Sequence, residues 1–436
     1  MGRAAGSNHI LQRHSASWSA ALGVWRAWQG QEGLSWRWQA AVFLAALLAI
    51  FSRLPGALLH PQFFAEDGWI WYQQAYNLSW FRSLGITHGG YLQTLPRLVA
   101  GFALLFPMQW APLIMNLSGA VIQVLPITAL LSRRCAPWGP LPVRVLMAVL
   151  YLAVPDAPEV HVVITNAMWH LALLQVLLAL SLPPLSWRGR VVDILGFTVG
   201  GVSGPFCLLL LPCTAVYWWI RRQRWTLAVL GIMLLCGVVQ VLSFLHSVRN
   251  PAAAPLGANP LVFLRIIAGN IFVDSMTGTG GRYLPVPLLV VGALGGFAIL
   301  FCGWQGAPLS GRLSIVFAML VLVASLEDPV VLVSSVPRWE VLANTTGIRY
   351  WFLPSLIFLW SAAWCASGGR NLPARYAGGA VLFLTLIGIG RSWPYPPWPE
   401  GNFSVEAERF RSLKTGEHML FTVHDPGGRK MELIKK

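Results

Sequence analysis

The apolar residues of this chain come in unbroken blocks about as long as a bilayer is thick, and that property limits the fold more than any other. A helix needs about 20 residues to cross a hydrocarbon core of roughly 30 Å. The stretches Ala111 to Leu131, Val162 to Leu182, Thr226 to Leu245 and Leu284 to Cys302 reach that length with almost no charge. They are continuous rather than alternating, which points to helices and not to a barrel. With 56% hydrophobic and only 11% charged residues over 436 positions, a soluble fold has too little polar surface. The expected class is an all-α, polytopic transmembrane protein.

The formal charge of +15 comes from 31 basic residues, of which the four Lys all lie in the tail (Lys414, Lys430, Lys435, Lys436). The Arg are dispersed in short loops with no basic stripe, so the expected partner is the lipid bilayer and not nucleic acid. Basic loops stay in the cytoplasm during insertion. Residues 1–37, Arg133/Arg134/Arg144, Arg188/Arg190, Arg221/Arg222/Arg224, Arg312 and Arg370/Arg375 are placed there. The path then has about eleven spans, or about nine if residues 191–220 only dip into the membrane. Its parts are a cytoplasmic segment 1–37, a transmembrane domain 38–392 opening on a retained anchor from Trp38 to Leu54, and an extracytoplasmic segment 393–436. The acids Glu66, Asp67, Asp156, Glu159, Asp274, Glu327, Asp328 and Glu340 fall at the outer face without having been used to build the path.

Some apolar pieces resist a span. Leu261 to Val273 contains Arg265, which costs about 2.5–3.5 kcal/mol at mid-membrane, so it is laid along the outer interface. Tyr91 to Phe106, with Pro96-Arg97, is treated likewise. Residues 191–220 are expected to form two short helices turning at Gly204-Pro205-Phe206. The Pro/Trp run Arg391 to Pro399 is expected as an interfacial strap, and the tail beyond it, too short for its own core, to pack on the outer loops. Six Cys stand singly with no CxxC pair, so a disulfide framework or zinc site is not expected.

The first outer loop, 55–110, carries the most chemistry. Glu66-Asp67 stands among Phe63, Phe64, Trp69 and Trp71, where desolvation raises a carboxylate's basicity and suits a general base. The competing role is to cap the following helix, Trp69 to Trp80. His88 and Tyr91 flank Gly89-Gly90 in the same loop and join the substrate-binding candidates. A second cluster, Asp156, Glu159, His161, Asn166 and His170, offers substrate-hydroxyl binding by Glu159, His161 or Asn166, with loop solvation and capping as the alternative. A third, Glu327-Asp328 with Arg338 and Glu340, reads as a solvated loop with internal ion pairs. No HxxxH or HExxH spacing occurs, so no metal site is assigned; no cofactor is named, and a divalent metal stays open.

This arrangement resembles the GT-C class of polytopic glycosyltransferases: an acidic motif in the first extracytoplasmic loop, followed by juxtamembrane helices along the interface. Here Glu66-Asp67 matches the acidic motif, and Trp69 to Trp80 and Tyr91 to Phe106 match the two helices. More narrowly, Ala65-Glu66-Asp67-Gly68, Gly90-Tyr91-Leu92, Pro96-Arg97, Thr165-Asn166 with Trp169, Gly204-Pro205-Phe206 and Arg349-Tyr350 resemble a family of uncharacterised bacterial membrane proteins. The resemblance implies a bacterial inner-membrane enzyme whose active site faces the periplasm or exterior. Its donor would be a polyprenyl-phosphate sugar and its acceptor a hydroxyl on a glycan, lipid or protein.

Such a transfer needs a base for the hydroxyl, Asp67 or Glu66, and a cation for the departing phosphate. The phosphate candidates are Arg97, Arg282 and Arg349 with Tyr350, with Arg338 also on the outer face. Arg282 follows Thr277-Gly278-Thr279-Gly280-Gly281, whose amides suit phosphate or else form a plain turn. Arg349-Tyr350 is equally a snorkelling pair at a span end. One carboxylate acting as base without a second nucleophile implies inversion. The alternatives are a polysaccharide polymerase or ligase relying on outer Arg and His, and a lipid or sugar transporter or flippase, which should carry charge near the midplane of its spans.

Overall fold

Residues 32–247, 254–331, 335–344, 347–368, 371–399, 401–425 and 427–436 are described here from a computed structural model, and most of them are helical. Among the described residues, seven helices are long and apolar enough to cross a membrane: Met108–Leu130, Arg224–His246, Pro260–Thr277, Val286–Gly306, Leu309–Glu327, Ile348–Gly368 and Leu372–Ser392. The chain is an integral membrane protein. Helix Trp36–Arg53 carries Arg37 and Arg53 near its ends and is not one of the seven. Much of the basic N-terminal segment lies outside the described residues. Helix Ile348–Gly368 is the hub, buried continuously from Trp351 to Cys365, with Trp360 donating to the Met147 carbonyl at 2.9 Å.

Side-chain bonds sort the helix ends into two groups. At one end Arg134 grips Asp193 through both guanidinium nitrogens (2.6 and 2.8 Å), and Trp225 Nε1 donates to the same carboxylate at 2.8 Å. Arg144, buried there, donates to the carbonyls of Leu130, Ser132, Gly139 and Glu32. At the other end Arg349 meets Glu159, Val330 meets Tyr350, Gly278 lies against Pro155 and Ser392, and Gln62 of the first loop meets Pro399. Arg134 and Arg144 thus lie at one end, and Glu66, Asp156 and Glu159 at the other.

Four expectations change in detail. The chain is not wholly helical: His418–Thr422 and Lys430–Ile434 pair as an antiparallel hairpin. The run Val162 to Leu182 is helical only over Ala167–Ala179. Residues before it thread against helix Ala111–Leu130, where a side chain on Gly119 would meet the Val162 carbonyl oxygen at 2.4 Å. Trp69 to Trp80 is not one helix; a π-helical turn, Asp67–Tyr72, leads into Gln73–Leu78, and Ser79 at φ 100° breaks the chain before Trp80–Leu84. The piece around Arg265, expected to lie along the interface, lengthens to Pro260–Thr277, which is long and apolar enough to cross a membrane. Phe263 lies against Trp339, Asn270 donates to the Leu342 and Ala343 carbonyls, Phe272 packs on Phe297 and Phe358 of the neighbouring helices, and Gly278 abuts Ser392 and Pro155. Residues 187–221 form two helices, Trp187–Gly201 and Phe206–Arg221, parted at Gly204-Pro205 as expected.

The strap is fastened to the first helix. Arg53, 1% exposed, donates to the carbonyls of Leu152, Val154, Ser392 and Trp393, and its guanidinium lies 4.0 Å from the Tyr395 ring centre. Gln62 donates to the Pro399 carbonyl at 2.5 Å, handing the chain on to the first loop. There the tail shares a core with that loop. Phe403, Phe410, Phe421, Met431 and Leu433 pack with Phe63, Trp71 and Tyr72, apolar area that neither partner could bury alone.

Candidate functional site

The acidic pair is set between two backbones. Ala65 accepts a positive φ of 42°, unusual for a residue with a Cβ, and its amide donates to the His424 carbonyl at 2.9 Å while His424 N donates to Phe63 O at 2.9 Å. Gly68 permits this approach, because a Cβ there would stand 2.8 Å from the Val423 side chain. The pinned turn sends the two carboxylates into different surroundings.

Asp67 points inward and is wholly buried. Its Oδ1 accepts the Thr165 amide at 2.9 Å, while Oδ2 is buried with no partner. Burial pushes its carboxyl well above the usual range, the neighbouring Glu66 charge adds to the rise, and the Thr165 and Ile164 amides partly offset it. Thr165 is also held by Trp71, whose Nε1 donates to its Oγ1 at 3.1 Å. Asp67 therefore fixes the 162–166 segment beneath the loop. Glu66 is the reachable acid, with a quarter of its side chain exposed and Arg429 Nη2 3.9 Å from its Oε1.

His88 lies within electrostatic reach of Glu66, Arg97 and Arg429. The His88 ring meets Trp69 and Trp71 edge-on at 5.9 and 5.3 Å between centres. Burial lowers its pKa; the Glu66 charge works against that, and Arg97 and Arg429 work with it. Arg97 is 0% exposed and lies 4.8 Å from the Trp71 ring centre. It donates through Nη1 to Gln74 at 2.8 Å, but Nε and Nη2 are buried without a partner. Burial brings its pKa down to about 10, so it stays charged at pH 7. Arg349 is occupied: it is ion-paired with Glu159 through Nη1, its amide donates to Glu159 Oε2 at 3.0 Å, and Nη2 donates to Val330 O. Glu66 is within electrostatic reach of it. Tyr350, beneath the Arg349 guanidinium, accepts the Val330 amide at 3.0 Å.

Other expected residues lie elsewhere. Asn166 donates to the Glu159 carbonyl at 2.7 Å and so shapes the loop that holds Arg349. Tyr91 stacks on Phe244, and its backbone bridges to His88. Arg282 belongs to a neighbouring group with Asp156 and Asp274. There Asp274 Oδ1 accepts the Gly281 amide at 2.6 Å, so the Gly-rich turn is closed by the chain's own carboxylate. Asp156 is pushed up to about 7, first by burial and then by Asp274, with Arg282 working against the rise and Glu159 adding to it. His161 is a core residue. Its Nε2 meets the Ile50 carbonyl at 3.0 Å and its Nδ1 the Gln123 amide at 3.1 Å, leaving no ring nitrogen for a substrate; burial takes its pKa down to about 3. His170 is likewise enclosed, between Tyr151 Oη and Val160 O, both at 2.8 Å.

Arg429 was not among the residues singled out from the sequence. Only a turn signature, Asp425-Pro426-Gly427-Gly428-Arg429, marks it, and nothing local tells that this turn docks on the first loop. Among the described residues, no group of three or more His, Cys, Asp or Glu side chains is arranged to hold a metal ion. Comparison with known proteins returns no match: no family model fits the chain, and no curated protein or solved structure matches it.

Proposed function

We propose that the chain is a membrane glycosyltransferase of GT-C type, moving a sugar from a polyprenyl-phosphate donor to an acceptor hydroxyl at the acidic end of the helices. The observation that carries this reading is the buried Arg97, with two nitrogens lacking any partner, which acts on the same His88 ring as the partly exposed Glu66. A buried guanidinium without a counter-ion is costly, and an anion offsets that cost. A phosphate leaving group is such an anion, and a lipid-linked one suits a protein of the membrane.

In the proposed step Glu66 takes the proton of the acceptor hydroxyl. The oxygen bonds to the anomeric carbon, the carbon–oxygen bond to the lipid phosphate breaks, and the phosphate departs with the electron pair towards Arg97. One-step displacement inverts the anomeric centre. Asp67 is a positioning residue, since its buried Oδ1 is committed to Thr165. The reading keeps about eleven crossings, with Pro260–Thr277 lying along the outer interface and the site on the extracytoplasmic side. Membranes bearing Glu66→Gln, supplied with radiolabelled polyprenyl-phosphate sugars, test it. Loss of a general base lowers transfer by about 10²- to 10⁴-fold; undiminished transfer sinks the assignment.

A further inference from the structure

Arg429 reaches the acidic pair from the opposite end of the sequence, and its geometry is that of a side chain held ready. Asp425 takes Nε and Nη2 at 2.9 and 2.7 Å, fixing the plane of the guanidinium. The plane sits 4.0 Å from the Trp69 ring centre, so the cation has a platform as well as a clamp. Yet its approach to Glu66, 3.9 Å, is beyond hydrogen-bond distance, and about a third of the side chain is exposed. The hairpin that presents it is anchored independently. Glu432 N donates to Gln73 Oε1 at 2.8 Å, Ile434 N donates to Asn77 Oδ1 at 3.1 Å, and Asn77 Nδ2 donates to the Glu432 carbonyl at 2.9 Å. Chain remote in sequence is thus docked on the helix that follows the acids, with a cation at the contact.

We propose that the C-terminal hairpin is part of the binding site and that Arg429 is a substrate-contacting residue taking a phosphate group, with Asp425 and Trp69 as its positioning residues. The Nε/Nη2 edge of the guanidinium is already filled by Asp425, which leaves the Nη1 side for a phosphate oxygen. Asp425 offsets the charge when the site is empty, so Arg429 needs no tight pair with Glu66 and leaves that acid available. This rests on the reading of Glu66 and Arg97 as a phosphate-sugar site and adds to it a second phosphate contact from outside the first loop.

The test uses the full chain purified in detergent and direct binding of farnesyl phosphate, with farnesol and inorganic phosphate as parallel probes, for wild type, Arg429→Gln and Arg429→Lys. Thermal unfolding establishes that each variant is folded. Farnesyl phosphate affinity should fall about 10-fold in Arg429→Gln, a loss of about 1.4 kcal/mol, and by less in Arg429→Lys, while farnesol binding is unchanged. Wild-type affinity in Arg429→Gln overturns the assignment of Arg429 alone. Absence of farnesyl phosphate binding by the wild-type chain overturns this assignment and the donor reading together. Equal binding of inorganic phosphate, lost in Arg429→Gln, upholds the phosphate contact and overturns the lipid as its source.

Discussion

Two arginines in this protein are equally buried and oppositely equipped, and replacing each by Met should separate a structural cation from a ligand-binding one. Arg53 spends its guanidinium on four carbonyls, the nearest at 2.9 and 3.0 Å, and on the Tyr395 ring. Arg53→Met leaves those carbonyls without a donor and unfastens the strap, a loss of about 3–5 kcal/mol. At roughly 2–4 °C per kcal/mol the melting temperature falls by about 6 °C or more. Arg97→Met gives up one charged hydrogen bond, about 1.5–3 kcal/mol, and one ring contact, about 1–2 kcal/mol. Against that it removes a buried charge with no counter-ion, a relief of several kcal/mol. The net should lie within about 1 kcal/mol of zero, while transfer and farnesyl phosphate binding collapse. All six cysteines are free and five are buried, so a thiol-reactive maleimide dye reports unfolding directly. A drop for Arg97→Met as large as for Arg53→Met would refute the reasoning, because the charge would then be satisfied within the protein itself.

Asp67→Asn keeps an acceptor for the Thr165 amide and removes a carboxylate whose pKa burial has raised. A raised acid favours folding most at low pH and loses that contribution as pH climbs through the folded value, so the variant should melt no lower than wild type at pH 8; a clear fall there would contradict the sign. Asp156→Asn should flatten the decline in stability between about pH 4 and pH 7, the interval between the ordinary carboxylate value of 3.8 and the folded value of about 7. A pH–melting curve unchanged from wild type would count against it. Gly68→Ala forces a Cβ to within 2.8 Å of Val423 and should cost about 1–3 kcal/mol, freeing the tail to limited proteolysis; a tail as protected as in wild type would mean that the contact absorbs the added methyl and the close approach is not what holds the layers together.

What the sequence made legible followed from local rules. Block length found the long helices, Gly204-Pro205 found the hairpin break, and the clustering of acids between apolar runs found the loop at Glu66. The failures share a different cause. Val162 to Ile164 are as apolar as any helix, yet they are drawn out to meet Gly119 and Asp67, a demand made by residues far away in the chain. His161 looked polar and loop-borne, but Ile50 and Gln123, each more than 35 positions distant, enclose it. The tail looked like an appendage because its apolar residues are too few for a core; half of that core belongs to Phe63, Trp71 and Tyr72. Arg429 was invisible for the same reason, since its meaning depends on a docking that no periodicity encodes.

The pairing of Gln73 with Glu432 spans 359 positions, and time can be read from that separation. At ordinary rates of synthesis the hairpin emerges roughly 20–70 s after the helix it will cover. During that interval Phe63, Trp71 and Tyr72 have no partner from the tail, and the strained backbone at Ala65 has no strand to hold it. The first loop is therefore assembled last although it is translated early, and a ribosome stalled before the hairpin would leave membrane helices in place around a loop still lacking part of its core.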